Sequence, residues 1–149
     1  MSGIAADTDV TVTLRLPPSP AHVRTARLIA AAMARRSGVG EDNLDEVRLA
    51  VGEACARAVR MQERQGVTAP VTVEFAEAGR FRVSVVDGAK TGTGDELTAM
   101  ANGAGGSIPW ADPSGDALGL ALLGAVVQDL VVDQEIDGGT RVTMSWPLA

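Results

Sequence analysis

With one cysteine and one histidine among 149 residues, the chain lacks the raw material for several chemistries. Cys55 has no second thiol to pair with, so there is no internal disulfide and no pointer to an oxidising compartment. His22, close behind Pro20, cannot build a Ser-His-Asp triad, a histidine metal cluster or a phosphohistidine relay alone, and reads as an exposed first-turn residue. Positive charge is also short: the formal net charge is −6, against a sequence-independent grip on nucleic acid. The longest apolar run, residues 117–127, falls well below the roughly 20 residues of a membrane-spanning helix. Residues 1–7 have neither a basic region nor an apolar one, so no signal peptide is expected there. These absences point to a soluble, cytoplasmic protein that touches neither nucleic acid nor membrane directly. The length suits one domain with a proper core.

What is present is well patterned. Residues 1–9 read as a flexible tail, and residues 10–149 as a single domain. Val10, Val12, Leu14 and Leu16 alternate with polar residues, the period of a half-buried strand that Pro17-Pro18 stops. Ser19 is placed to cap a helix beginning at Pro20, with Val23, Ala26, Ala30 and Met33 as its apolar stripe and Gly38 closing it. A second helix is expected from near Asp42 to about Gln65, carrying Leu44, Val47, Val51, Ala54, Ala58 and Met61 toward the core. Glu46, Glu53, Arg57, Arg60 and Arg64 project from its opposite side within a narrow arc, a face that suits plain solvated surface as well as a site.

Two alternating strands follow, through Val71, Val73 and Phe75 and then Phe81, Val83 and Val85, the second ending at Asp87-Gly88. Residues 89–115 are Gly-rich and weakly patterned; a connection of that length suggests a lid, with a helical turn near residues 96–101. Asp116 is placed to cap a third helix, a strand is expected near residues 130–133, and Asp137-Gly138-Gly139 turns into a last strand through Val142, Met144 and Trp146. This order predicts a two-layer α/β sandwich: a mixed or antiparallel sheet with helices on one face and a wetter second face.

Four short segments carry the functional reading: residues 49–59 around Glu53, Val86-Asp87-Gly88, Leu118-Gly119-Leu120 and Gly139-Thr140. Their order and placement resemble the GHKL ATPase superfamily, and within it the small bacterial anti-sigma-factor serine kinases. The resemblance runs from the first strand to Trp146. It implies a GHKL (Bergerat-like) fold in which Glu53 is the general base that activates a serine hydroxyl. It implies that Asp87 hydrogen-bonds the adenine amino group and that Thr140 supports it. Gly88, Leu118, Gly119 and Leu120 then line the remaining nucleotide pocket. Arg24, with Arg27 beside it, falls where the family contacts its partners.

The pattern is broken in several places. Arg57 stands where the family has the asparagine that holds magnesium, and Met61 where a histidine often follows. Ala89 and Thr91 replace two glycines after the aspartate, and Ala117 replaces the first of the pair before the third helix. An arginine removes an oxygen ligand and adds repulsion, roughly double the approximately 4 kcal/mol of two unit charges 4 Å apart at an effective dielectric of 20. Arg57 would then either bind a phosphate bidentately, giving metal-free nucleotide binding without turnover, or pair with Glu53 inside a vacant pocket.

The resemblance, with this substitution, implies a protein without resident metal or nucleotide, acting as an anti-sigma-like transcription regulator. Its expected partners are a sigma factor and an anti-anti-sigma (STAS) protein, bound by a homodimer. The alternative is a working kinase using ATP (leaving ADP) and magnesium to phosphorylate the anti-anti-sigma protein.

Overall fold

The structure, a computed structural model, describes residues 10–90 and 116–149. Strands β1 (Val10–Leu16), β2 (Val71–Glu77), β3 (Arg80–Asp87), β4 (Asp129–Gln134) and β5 (Thr140–Pro147) form one sheet in the order β1-β2-β3-β5-β4. Every neighbouring pair is antiparallel, so of the two sheet types expected the antiparallel one is found. Helices α1 (Val23–Ser37), α2 (Glu41–Gln65) and α3 (Asp116–Val126) pack on one face. The rest of the expected lid and the tail, residues 91–115 and 1–9, lie outside the described residues.

Alternation along the strands sets the two faces. Val73, Phe75, Val83, Val85, Val142 and Met144 are buried beneath the helices, while Thr72, Glu74, Arg82, Arg141 and Thr143 stay half-buried or exposed on the other side. On that outer face Arg141 bonds Glu74 at 2.7 Å and Glu135 at 3.1 Å, across β3 and along the hairpin. On the inner face, ring centroids of Phe75 and Phe81 lie 6.3 Å apart and those of Phe81 and Trp146 6.2 Å. Such aromatic pairs contribute about 0.5–1.5 kcal/mol each beyond simple area burial.

The helix starts and stops follow local chemistry. Ser19 caps as expected, but the residues after it, Pro20–His22, form a single 3-10 turn and the α-helix begins only at Val23. Ala26, Ala30, Ala31 and Ala34 form the buried stripe of α1, with Val23 and Met33 only partly buried beside it. These small side chains let α1 lie close on α2. The apolar stripe expected for α2 is buried throughout, and Glu41 and Asp42 in its first turn complement the helix dipole.

The opposite face of α2 needs correction. Arg60 and Arg64 are exposed, but Arg57 is only 1% exposed, and Glu46 is half-buried with its carboxylate accepting from the Trp146 indole N–H at 2.8 Å. Arg57 stands seven residues, almost two whole turns, from buried Ala50 and four from buried Met61. It therefore belongs to the flank of the core stripe, where a long side chain can turn inward.

Cys55 lies in the same buried helix, and burial pushes its thiol up to about 12. Because the thiolate is the reactive form, we expect the native protein to resist an aromatic disulfide reagent at pH 8 and to react with one equivalent once unfolded in guanidinium. Rapid labelling without denaturant would contradict this burial.

Candidate functional site

Helix α2 spans the sheet from the Trp146 end to the Asp87 end, and it carries Arg57 to the exit of β3, beside the start of β5. There the Arg57 guanidinium donates from Nη1 to Asp87 Oδ2 at 3.0 Å, with both side chains almost completely buried. Asp87 Oδ1 accepts the Ala89 N–H at 2.9 Å. Both oxygens of the aspartate are thus engaged from within the chain.

The pairing corrects one of the two alternatives raised by the sequence. Among the described residues no ion pair joins Arg57 to Glu53; Arg57 reaches across to Asp87 instead. Glu53 is half-buried on the neighbouring turn.

Residues 88–90 leave β3 under tight control. Gly88 N–H donates to Gln62 Oε1 at 2.8 Å, and the Gln62 amide donates to the Ala69 carbonyl at 2.7 Å and to Val67 at 3.3 Å. Gln65 receives the Lys90 N–H at 2.8 Å and donates to the Lys90 carbonyl at 2.7 Å. Thr140, opposite Asp87 in the β3–β5 ladder, donates its hydroxyl to the Ala89 carbonyl at 3.3 Å. Three successive residues after the aspartate therefore have main-chain groups tied to α2, to β5 or to Asp87 itself.

The other expected positions fall as follows. Gly88 is half-buried beside Val67 and Gln62. Leu120 is completely buried and belongs to the hydrophobic core. Leu118 and Gly119 lie in α3, and the surroundings of both lie outside what is described. Arg24 and Arg27 are exposed on α1 and line a cleft with Arg48 of α2. Among the described residues, no cluster of three or more His, Cys, Asp or Glu side chains is placed to hold a metal ion.

Gln62 and Gln65 carry no site role in the sequence reading. Gln62 continues the buried α2 stripe four residues beyond Ala58, while Gln65 is exposed at the helix end. A glutamine at a core-facing position is itself a signal, since a buried amide needs partners and so marks backbone in want of hydrogen bonds.

Among the described residues, a five-stranded antiparallel sheet carries helices on one face, with Asp87 at the end of a central strand, an arrangement that matches the histidine kinase-like ATPase class. The chain belongs to the histidine kinase-like ATPase domain family, which matches residues 16–146. It is 26% identical over 138 residues to the serine-protein kinase RsbW of Bacillus licheniformis, covering 90% of this chain and 83% of that protein. It is 25% identical over 135 residues to RsbW of Halalkalibacterium halodurans, covering 91% and 82%. Among solved structures it is similar to a chain of the SiaB–SiaC complex from Pseudomonas aeruginosa, with a TM-score of 0.68, 13% identity and coverage of 96% of this chain and 93% of that one. The RsbU and RsbW domains of Rv1364c from Mycobacterium tuberculosis match with a TM-score of 0.62 and 19% identity, over 92% of this chain and 32% of that one. Among the described residues no helix is long and apolar enough to cross a membrane.

Proposed function

We propose that this protein is a partner-binding regulator of the anti-sigma type, in which the family's phosphotransfer pocket has become an internal scaffold. The observation that carries this reading is the buried Arg57–Asp87 pair. Magnesium prefers near-octahedral oxygen donors at about 2.0–2.1 Å. A guanidinium has only N–H donors and no acceptor, so the residues at this position do not fit the ion. An adenine amino group seeking Asp87 would have to share a carboxylate already held by Arg57 and by the Ala89 N–H.

The partners proposed are a sigma factor and an anti-anti-sigma (STAS) protein, bound by a homodimer. Support comes from the RsbW relatives and from the likeness of fold to a chain of a two-protein complex. Switching then rests on competition between partners for mutually exclusive contacts, with differential affinity deciding the outcome. Residues 89–115 are proposed as a lid inherited with the pocket.

Calorimetry with ATP, with and without magnesium, tests this on the wild type and on Arg57→Asn. The wild type is expected to show no magnesium-dependent binding. Arg57→Asn, which returns an oxygen ligand and releases Asp87, is expected to gain it. Glu53 stands where the family's base stands, which favours the kinase reading. Magnesium-dependent phosphate transfer from ATP to a STAS protein by the wild type, lost in Glu53→Ala, would establish that reading instead.

A further inference from the structure

The exposed ends of α1 and α2 hold a feature that the nucleotide pocket does not explain. Arg24, Arg27 and Leu28 of α1 and Arg48 of α2 line a cleft of about 210 Å³. Three cations on one cleft are unusual in a chain whose net charge is −6. The only ion pair among them in the described residues is Arg48 with Asp45 at 2.9 Å, and Asp45 is itself 93% exposed. Two large apolar side chains are open to solvent: Leu28, in the cleft lining, is 59% exposed, and Leu49, next to Arg48 in sequence, is 50% exposed.

A missing side chain shapes this cleft. Gly52 lies one turn beyond Arg48, and the stem of Arg27 runs directly over it. A Cβ at position 52 would stand 2.7 Å from Arg27 Cδ, 3.0 Å from Cγ and 3.2 Å from Nε. In a helix interior glycine is unfavourable by roughly 0.5–1 kcal/mol relative to alanine, so this one needs a reason. The reason in view is the seat it gives to Arg27.

We propose that Gly52 is a positioning residue that holds Arg27 against α2, so that Arg24, Arg27 and Arg48 together receive carboxylates from a partner segment whose apolar side chain lies on Leu28 and Leu49. The inference rests on the partner-binding reading and extends it to α2. It names the chemistry of the occupant: a protein segment in which acidic residues flank an exposed leucine or similar side chain. Guanidinium groups suit this role because they can take carboxylates bidentately. Contact made jointly by charge and apolar surface separates this segment from a purely anionic ligand, which salt would displace.

Fluorescence anisotropy of a labelled synthetic peptide with alternating aspartate and leucine tests the proposal, beside a control peptide in which serine replaces each leucine. The wild type is expected to bind the leucine peptide at least tenfold more tightly than the control. Arg48→Glu is expected to weaken it tenfold or more. Gly52→Ala is the sharper variant, because helix propensity predicts an equal or raised melting temperature while the displaced Arg27 lowers peptide affinity severalfold. A stable Gly52→Ala protein with unchanged affinity would overturn the positioning role. Equal binding of both peptides would reduce the cleft to an anion site and overturn the proposal. Self-association of the protein abolished by Arg48→Glu would assign the cleft to a second copy, with the same effect. None of these outcomes depends on ATP, so failure here leaves the reading of the nucleotide pocket intact.

Discussion

Replacing Arg57 by alanine is expected to destabilise the protein by about 3–5 kcal/mol, the usual loss when one member of a buried ion pair is removed. The mechanism is the charge left behind. Asp87 is buried at the β3 exit, and removing the guanidinium 3.0 Å away takes an opposite charge from its carboxylate. Chemical denaturation, with the midpoint and slope measured for both proteins, reads the effect directly. The double variant Arg57→Met, Asp87→Leu makes the comparison informative. A buried pair is often no better than apolar residues of similar volume, so this variant should recover most of the stability lost by the single one. Arg57→Lys should not, because an ammonium cannot reproduce the planar fork. A loss below about 1 kcal/mol for Arg57→Ala, the range of exposed pairs, would mean that the pair is not buried in solution.

Gly139→Ala is expected to be comparably severe for a different reason. Gly139 precedes Thr140, which pairs with Asp87 in the ladder, and a Cβ built at position 139 overlaps the Asp87 carbonyl oxygen. The obstacle is backbone, which cannot swing aside as the end of a side chain can. Overpacking typically costs about 1–3 kcal/mol, and a main-chain obstacle puts this substitution at or above the top of that range. Relief would require β5 to move off β3 at the point where Thr140 reaches Ala89. The melting temperature of the variant, together with the amide exchange of Gly88 and Ala89, would register both effects. A variant with unchanged melting temperature would contradict the close approach of the two strands.

Much of this architecture is legible in the sequence. The alternation of Val71, Val73 and Phe75 and of Val142, Met144 and Trp146 gives strands whose buried face is the one expected. The three- and four-residue spacing from Leu44 to Met61 likewise fixes the buried side of α2. Boundaries at Pro17-Pro18, Gly38 and Gly66 are written in residues with strong local preferences.

The site was harder to read because its decisive interaction joins residues thirty positions apart. The sequence places Arg57 on the side of α2 opposite the core stripe and offers a phosphate or Glu53 as its partner, because charge is the first thing a pattern registers. Its place on the flank of the stripe, and the reach of its side chain, carried it inward once Asp87 supplied a partner. The Gln62 and Gln65 contacts were missed for a related reason. Periodicity reports which side of a helix is apolar and is silent about which backbone groups across the interface lack partners. Gly52 belongs to the same class, since its role is visible only when the stem of Arg27 is seen above it.

On the reading proposed above, a regulator whose pocket is held by its own arginine would carry no gauge of the cell's energy state. If nucleotide cannot displace the Arg57–Asp87 pair, swings in the adenylate pool would not reach it. The signal such a protein answers must then arrive as the abundance of another macromolecule, and its response is set by stoichiometry rather than by fuel.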